Sequence, residues 1–535
     1  MICWLEHIVF TVVVAVLVKI GINEGTEGVL RTIVVTLKAV PGVNWLIHLV
    51  LRSEVRGFVK QIETKQGKKQ STGPRVTIPA KGVPHDELYK EMEVLKQGEI
   101  DPEDGKIFAY VYTAGSENFK IQQKAFSLFC EKTGYSGDHD ALVTAFHHAF
   151  MHENALNPMV FPSLRRMETE AISMSAGMLN GDDEVVGSLT SGGTESILMA
   201  VKTYRDRAKK LFPQIKEPEM VAPITIHPAF EKAGHYFGVK IVHTALGKDY
   251  KAVPGLIRRA ITRNTIAILC SAPQYPHGVV DPVSELSDLA VDKGLPLHVD
   301  ACFGGFMLPW VEKLGYTVPV FDFRLPGVTS MSADIHKYGF GAKGASVVLY
   351  RNAEIRKFQI FAYADWPGGL FGSPSMAGTR PGGNIAAAWA ALKGMGVEGY
   401  MNMAKQLMDT TVRLKEGINK IEGLQILGDP HMTAFSIGST DSEIDILALA
   451  DNMEEKGWKV ERQQKPSSLH CTIMPHHVNV VDELLEAMRE SAKAVKSNKA
   501  LSKKGSAAMY GMVGNIPDNG IVNDFLVEFF SEMYK

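Results

Sequence analysis

The stretch VTSMSADIHKYG, from Val328 to Gly339, has the pattern of a short buried strand that runs into a tight polar turn. Lys337 lies in this turn, next to His336. Turns at strand ends place reactive side chains on a rigid scaffold, so Lys337 is a candidate functional residue. The alternative is a solvated surface lysine, which is the usual fate of this residue type. The motifs upstream of this turn favour the first interpretation.

On both sides of the turn, short apolar runs alternate with helix-length segments such as Val253 to Arg263 and Val283 to Lys293. Strands that alternate with helices are typical of an α/β fold with a mostly parallel sheet. Farther along, MTAFSIGS and LHCTIMP predict strands among helical segments, which indicates a smaller C-terminal α+β domain. The strands predicted for the large domain are Met220 to Ile226, Val239 to Val242, Thr265 to Cys270, Leu295 to Val299, Val328 to Met331 and Ser346 to Leu349.

The composition is that of a globular protein, with 535 residues of which 45% are hydrophobic and 22% are charged. A net charge of -2 provides no basic surface, so we expect no nucleic-acid partner. The five cysteines form neither a CxxC pair nor an even framework. This spacing indicates a reducing compartment and argues against a disulfide scaffold and against a zinc site.

The amino-terminal run IVFTVVVAVLV, from Ile8 to Val18, carries no charge and continues past Lys19 to Ile22. Such a run predicts a membrane anchor, because the lysine side chain can extend toward the membrane surface. A cleaved signal peptide and a buried amphipathic helix are the alternatives. Positive charges gather after the run, so the positive-inside rule places the remaining chain in the cytosol.

Changes in pattern along the chain predict its domain organisation. Residues 1–62 form the membrane anchor and juxtamembrane region, and residues 63–104, rich in Lys, Gly and Pro, form a linker. An amino-terminal arm covers residues 105–160, the large α/β domain covers residues 161–384, and the small domain covers residues 385–535.

The motif TSGGTES, from Thr190 to Ser196, precedes a helical run from Ile197 to Arg207. Small residues at a helix start leave backbone N–H groups and the positive end of the helix dipole available to a phosphate. The alternative is a simple helix cap made by Ser191 or Thr194. The motif has neither Walker-loop spacing nor a dinucleotide fingerprint.

The motif PLHVDACFGG, from Pro296 to Gly305, places Asp300 at the end of an apolar strand. Ligands of open α/β sheets bind at this edge, and a buried carboxylate needs a cationic partner such as a protonated pyridine nitrogen. A turn-capping aspartate is the alternative. His298 shares a strand face with Asp300 and either orients it or packs in the core. Cys302 is expected to pack as a small residue.

A phosphate cradle, a strand-end aspartate and a turn lysine in this order describe a site for pyridoxal 5'-phosphate. In such a site the lysine bonds the cofactor, the aspartate keeps the ring nitrogen protonated, and the helix start holds the phosphate. The three motifs therefore predict a pyridoxal-phosphate enzyme, and no metal is expected.

Longer stretches carry a family resemblance: SGGTES, HVDACFGGF, SADIHKYG, PQYPHGVVDP and DWPGGLFGSPSMAGTRPGG. They resemble the group II pyridoxal-phosphate decarboxylase family of fold type I, and within it the lyases of phosphorylated sphingoid bases. The resemblance runs from about Tyr112 to the carboxyl end. It implies a homodimer with a transferase-like large domain, anchored in the endoplasmic reticulum membrane with its catalytic part in the cytosol. The implied reaction is retro-aldol cleavage of the C2–C3 bond of sphingosine 1-phosphate to a long-chain aldehyde and phosphoethanolamine.

The resemblance also implies roles for cofactor-binding residues. Lys337 would bond the cofactor, Asp300 would pair with the ring nitrogen, and His227 would stack on the ring. Without the resemblance, His227 could equally be a capping or core histidine. The residues implied for the cofactor phosphate are Gly193, Thr194 and His336, with Thr379 reaching in from the partner subunit.

Lys343 and Tyr112 match positions that bind the substrate phosphate or assist the cleavage. From the residues alone, Lys343 could be a solvated lysine, and Tyr110 competes with Tyr112 for the role. The histidines of the preceding helical segment suggest a metal site, but they lack an ordered set of carboxylates. They are His147, His148 and His152.

One position departs from the pattern of these lyases, which usually have N-x-x-H-P before FPS. This chain has NALNP, from Asn154 to Pro158, with Asn157 where a histidine is expected. Asparagine can hydrogen-bond but cannot take up a proton near neutral pH. A membrane-tethered homologue with low turnover is therefore one alternative to a lyase. The other is an amino-acid decarboxylase of the same fold, which shares the cofactor residues but would bind a carboxylate.

Overall fold

A computed structural model describes residues 75–97, 138–503 and 519–534, together with Trp45, Leu46, Leu49, Gly57 and Ala507. The part from Arg75 to Lys535 forms one compact unit. The predicted anchor run from Ile8 to Val18, Tyr112, and residues 63–74 and 98–104 of the predicted linker lie outside the described residues. Among the residues that are described, no helix has the length and apolar character needed to cross a membrane.

The described elements alternate between helices and strands through the large domain. The helices are α1 His85–Gln97, α2 Asp138–Phe150, α3 Pro162–Met178, α4 Gly193–Leu211, α5 Ala229–Phe237, α6 Pro254–Ala260, α7 Val283–Lys293, α8 Leu308–Lys313, α9 Ala353–Arg356, α10 Gly382–Asn419, α11 Ile446–Glu455, α12 Val481–Ser497 and α13 Asn519–Met533. The strands are β1 Val186–Thr190, β2 Glu219–Pro223, β3 Lys240–Thr244, β4 Thr265–Ser271, β5 Leu297–Asp300, β6 Val328–Ala333, β7 Ser346–Tyr350, β8 Phe361–Tyr363, β9 Phe371–Ser373, β10 Leu424–Ile426, β11 Ala434–Ser439, β12 Glu461–Gln464 and β13 Ser467–Thr472.

The large sheet has seven strands in the order β1-β7-β6-β5-β4-β2-β3. Neighbouring strands from β6 to β3 pair in parallel, whereas β7 runs antiparallel to both β1 and β6. The six strands predicted from apolar runs are confirmed, and so is a mostly parallel sheet. Every residue of β4 and β5 is buried, as expected for central strands covered on both faces.

The carboxyl end of the parallel strands forms the edge at which the site lies. β5 ends at Asp300, and β6 ends at Ala333, directly before the turn that carries Lys337. Asp300 pairs in register with Ser332 of β6, so the two strand ends lie side by side. The sheet therefore brings two motifs together that are far apart in the sequence.

The C-terminal part contains an antiparallel four-stranded sheet in the order β10-β11-β13-β12, as predicted for an α+β unit. Two of its strands, β11 and β13, coincide with the predicted strands in MTAFSIGS and LHCTIMP. The long helical segment α10 crosses residue 385, where the small domain is predicted to begin, and is kinked at Gly396. Tyr338, next to Lys337, donates a hydrogen bond to the Ile473 carbonyl oxygen at 3.2 Å, so this part contacts the lysine turn directly.

Candidate active site

Asp300 is buried at the end of β5, with 7% of its surface exposed. Its Oδ1 accepts a hydrogen bond from the Cys302 backbone N–H at 3.0 Å and one from the Ser332 hydroxyl at 3.1 Å. These donors fix the orientation of the carboxylate and partly compensate the cost of its burial. Asp300 is thus a carboxylate at the end of a strand, as the sequence predicts, and these two hydrogen bonds hold it in place.

His298 lies behind Asp300 and is fully buried. Its Nε2 lies 3.3 Å from the Ser332 hydroxyl, which in turn donates to Asp300, and its Nδ1 lies 2.8 Å from the Ser330 hydroxyl. Burial lowers the pKa of His298 to about 4, so the ring is neutral near pH 7. The sequence offered two roles for His298, packing in the core and orienting Asp300. In the structure it packs in the core and also supports Asp300 through Ser332.

Lys337 points back toward the end of β6. Its Nζ lies 2.9 Å from Asp334 Oδ2 and 5.5 Å from the centre of the Phe303 ring. Its side chain keeps 39% of its surface exposed, so part of it remains accessible to solvent. Burial has the largest single effect and acts to lower the pKa of Lys337, but the opposing effects of Asp334, Cys302 and Asp300 together raise this pKa overall.

The start of α4 lies beside Lys337 and Asp334. A Cβ on Gly193 would lie 2.8 Å from Cys302 Sγ and 2.9 Å from both Asp334 carboxylate oxygens. The helix start can approach the site this closely only because residue 193 is a glycine. The Glu195 carboxylate binds the Ser191 backbone N–H at 2.7 Å and its hydroxyl at 2.6 Å. The simple cap by Ser191 or Thr194 is therefore wrong, since the cap residue Gly192 has no side chain and Glu195 reaches back instead.

The other predicted residues have the following places. His336 accepts the Ala345 backbone N–H at Nδ1, at 3.1 Å, and its Nε2 lies 3.5 Å from Asp334 Oδ2. Lys343 donates to the His336 carbonyl oxygen at 3.2 Å and is exposed. His227 is exposed after β2, and its Nδ1 accepts the Ala229 backbone N–H at 3.1 Å.

Thr379 and Thr194 of the same chain line one cavity of about 350 Å³, together with Ser191 and Arg380. The Thr379 hydroxyl accepts a hydrogen bond from Asn154 Nδ2 at 3.3 Å. Arg380 is held by a pair of hydrogen bonds to the two carboxylate oxygens of Glu168, at 2.7 and 3.0 Å. The contribution of Thr379 to a partner subunit stays a prediction, as does the role of Tyr112 outside the described residues.

Sequence reasoning missed an aromatic wall near Lys337. The Tyr275 ring stacks on the His470 ring with centres 4.1 Å apart, and Phe303 lies 5.9 Å from Tyr275. His470 belongs to β13 of the small sheet, so no spacing in the sequence indicates that it lies near the lysine turn. Asp334 was also missed, although its position three residues before Lys337 was a usable signal.

Comparisons with known proteins agree with this geometry. Residues 135–437 match the pyridoxal-dependent decarboxylase conserved domain. The chain is 40% identical over 503 residues to the sphingosine-1-phosphate lyase of Dictyostelium discoideum, a match that covers 93% of this chain and 89% of that one. The chain belongs to the sphingosine-1-phosphate lyases of the pyridoxal-dependent decarboxylase family.

Two other proteins place the chain within the family. Sphingosine-1-phosphate lyase 1 of Rattus norvegicus is 41% identical over 462 residues, covering 86% of this chain and 77% of the rat protein. The solved sphingosine-1-phosphate lyase of Burkholderia pseudomallei has a TM-score of 0.67 and 35% identity, and covers 78% of this chain and 100% of that one. Glutamate decarboxylase of Lactobacillus brevis shares the fold, with a TM-score of 0.60, 17% identity and coverage of 75% and 98%.

The residues present fit the pyridoxal phosphate that this family uses. Asp334 Oδ1 is buried without a hydrogen-bond partner among the described residues, and the glycine at the start of α4 lets this helix approach Asp334 closely. In a bound state Lys337 would supply the amine, Asp300 would supply the carboxylate for the ring nitrogen, and the start of α4 would supply backbone N–H groups. Among the described residues, no group of His, Cys, Asp and Glu side chains is arranged to hold a metal ion.

The departure from the lyase pattern at Asn157 has a local structural role. Asn157 Oδ1 accepts the backbone N–H groups of Met159 and Val160, at 3.2 and 3.3 Å, in the turn before α3. A carboxamide oxygen can accept both hydrogen bonds, as in turns that asparagine favours. The asparagine therefore stabilises the chain segment that leads into α3.

We expect the variant Gly193→Ala to bind pyridoxal phosphate roughly ten- to hundredfold more weakly, because overpacking costs about 1–3 kcal/mol. The added methyl would force α4 away from Asp334 and Cys302. Titration of the cofactor-free protein with pyridoxal phosphate measures this loss. Gly255→Ala is the matched control, because nothing lies within 4 Å of its added Cβ. Equal affinities in the two variants would contradict the close approach of the helix start.

Proposed function

We propose that this chain cleaves a phosphorylated sphingoid base between C2 and C3, giving a long-chain aldehyde and phosphoethanolamine. The observation that carries the proposal is the match to a sphingosine-1-phosphate lyase over 93% of this chain, which contains Lys337 and Asp300 at one sheet edge. Pyridoxal phosphate, when bound, supplies an electron sink for the bond that breaks. The residues of the chain bind, orient and transfer protons.

Asp300 would hold the proton on the ring nitrogen of the cofactor. Both hydrogen bonds that the described residues make to this carboxylate go to Oδ1, so Oδ2 can accept the ring N–H. His298 stays neutral behind Ser332 and adds no positive charge next to Asp300 near pH 7. The charge of Asp300 thus favours the protonated ring, which is the form that accepts electrons.

Lys337 would give up its bond to the cofactor in favour of the substrate amine, displace the product amine at the end, and accept or return protons at the reacting carbon. Its partly exposed side chain and the aromatic wall of Phe303, Tyr275 and His470 suit a site in which an apolar chain lies close to the reacting atoms. Lys343, which is exposed and donates to the His336 carbonyl oxygen, would bind a phosphate of the substrate. Tyr112 would assist the cleavage.

The chain is also proposed to act as a homodimer tethered to the endoplasmic reticulum membrane, with its catalytic part in the cytosol. The uncharged run from Ile8 to Val18 and the positive charges that follow it support the tether. In the dimer, Thr379 would reach the cofactor phosphate of the partner subunit. A tether suits a lipid substrate, because it keeps the site near the bilayer that holds the substrate.

A substrate panel distinguishes the proposed lyase from an amino-acid decarboxylase of the same fold. Purified protein is given sphingosine 1-phosphate, unphosphorylated sphingosine, glutamate or tryptophan, and aldehyde and carbon dioxide are measured. We expect aldehyde from the phosphorylated base alone. Carbon dioxide from an amino acid, without aldehyde from the lipid, would support the decarboxylase, and the absence of turnover on every substrate would support the membrane-tethered homologue.

The tether is tested by a truncated protein that begins at Glu63. We expect it to move from the membrane fraction to the supernatant and to keep its turnover on detergent-dispersed substrate, because the site lies in the unit from Arg75 to Lys535. The full-length chain, fractionated in parallel, is the control. A truncated protein that stays in the membrane fraction would show that a further segment binds the bilayer.

A further inference from the structure

Asp334 is a buried carboxylate that the cofactor chemistry described above leaves without a role. Only 2% of its surface is exposed, and it follows directly after β6. Its Oδ2 lies 2.9 Å from Lys337 Nζ and 3.5 Å from His336 Nε2. The pair of Asp334 and Lys337 is therefore a direct ion pair between a buried anion and the reactive amine.

We propose that Asp334 is a positioning residue that holds the Lys337 ammonium at the end of β6 in the cofactor-free enzyme and releases it when the cofactor is taken up. The inference rests on the cofactor and on no particular substrate. A buried carboxylate at this place costs free energy unless a cation faces it, so the lysine side chain is drawn to one position before its reaction partner arrives. Asp334 thus orients the amine and also keeps it protonated.

The chemistry of uptake shows why this matters. An ammonium has no lone pair, so its proton must first leave to solvent or to a neighbouring base. The amine nitrogen then bonds the aldehyde carbon of the cofactor, and the carbonyl oxygen leaves as water. A stronger ion pair therefore raises the pH at which cofactor-free enzyme takes up pyridoxal phosphate rapidly.

The groups around Lys337 act in opposite directions. Burial is the largest single effect and acts to lower the pKa of Lys337, while Asp334 on its own turn has the largest opposing effect, and the pKa is raised overall. Asp300 and Cys302 from the end of β5 also face the amine, and so does Tyr275 after β4. Behind Tyr275, His470 has a pKa lowered by burial to about 4 and adds no positive charge near pH 7. Asp334 is the anion in direct contact, so its removal should have the largest effect.

The same pair depends on pH in the folded protein. Burial acts to raise the pKa of Asp334, but the hydrogen bond from His336 and the Lys337 charge lower it to about 2, below its ordinary 3.8. The stability that Asp334 contributes is thus complete above pH 3.8 and is lost as the pH falls toward 2. The Lys337 contribution is complete below its ordinary pKa of 10.5 and is lost as the pH rises through its higher folded value.

The first test follows the rate of pyridoxal phosphate uptake by cofactor-free, full-length protein as a function of pH. We expect Asp334→Asn to lower the pH midpoint of uptake by about one unit or more, the shift typical of removing an opposite charge in contact. Asp322→Asn is the matched control. Asp322 is equally buried and is paired with Arg324 at 2.8 Å, but it precedes β6 instead of following it, about 20 Å away at strand spacing.

An unchanged midpoint in Asp334→Asn, or an equal shift in Asp322→Asn, would overturn the proposal. If Asp334→Asn folds poorly, a second measurement tests the same pair of side chains. In thermal unfolding of cofactor-free protein at pH 7, Lys337→Met should lower Tm, because it leaves Asp334 buried without its cation. Adding Asp334→Asn to that variant should recover part of the loss. Strictly additive losses in the double variant would show that the two side chains do not act as a pair.

Discussion

Lys337→Ala is expected to lower turnover by more than about a thousandfold, the scale on which enzymes lose activity when the group that bonds their substrate or cofactor is removed. The reason is geometric: the turn after β6 brings this amine to the sheet edge beside Asp300 and α4. The visible absorbance of covalently held cofactor should disappear in the same variant. Borohydride reduction followed by peptide mass spectrometry should then label Lys337 in the wild type alone.

The matched control is Lys405→Ala, which removes an exposed lysine paired with Asp409 on the surface of α10. It should keep wild-type turnover and absorbance, because exposed pairs of this kind contribute little to stability. Full activity in Lys337→Ala would refute the proposed mechanism, whatever the absorbance shows.

Asp300→Asn is expected to lower kcat by at least about a hundredfold, comparable to losing one preorganised electrostatic partner of a developing charge. The carboxamide keeps the shape and can still accept from Cys302 and Ser332, but it carries no charge to hold a proton on the ring nitrogen. The cofactor should remain covalently bound at Lys337. The variant thus loses the ability of the cofactor to accept electrons while it keeps the cofactor itself.

The control for charge is Asp292→Asn, which removes an exposed carboxylate that pairs with Arg258 at 2.9 Å on the surface. Its kcat should match that of the wild type. If Asp300→Asn retained the wild-type kcat, the carboxylate would not be the partner of the ring nitrogen, and the assignment of the whole edge would have to change.

The apolar strands of the large sheet could be predicted from the sequence because each is a continuous buried run. β1 could not, because VGSLT contains only two large apolar residues, and its burial comes from pairing with β7 and packing under α3 and α4. The antiparallel direction of β7 had a signal that was overlooked. Residues 334–345, which join β6 to β7, contain no helix. Two neighbouring parallel strands are normally joined by a long crossover that contains a helix, so this short connection indicates an antiparallel pair.

In the site, Lys337 and Asp300 could be singled out because one follows a predicted strand and the other ends one, whereas Gly193 was assigned through the family resemblance. His470 and Tyr275 could not, because their stacking depends on how β13 of the small sheet meets the loop after β4. That contact joins residues nearly two hundred positions apart and leaves no local pattern. Asn157 shows the reverse case, since the sequence revealed the departure but only the turn before α3 shows what its side chain binds.

The most direct measurement is the product ratio from purified protein and sphingosine 1-phosphate, with the aldehyde and phosphoethanolamine quantified together by mass spectrometry. The proposed cleavage predicts that the wild type forms the two products in equal amounts. The Lys337→Ala variant should form both far more slowly. Consumption of the lipid without phosphoethanolamine, or formation of sphingosine and free phosphate instead, would contradict cleavage at the C2–C3 bond.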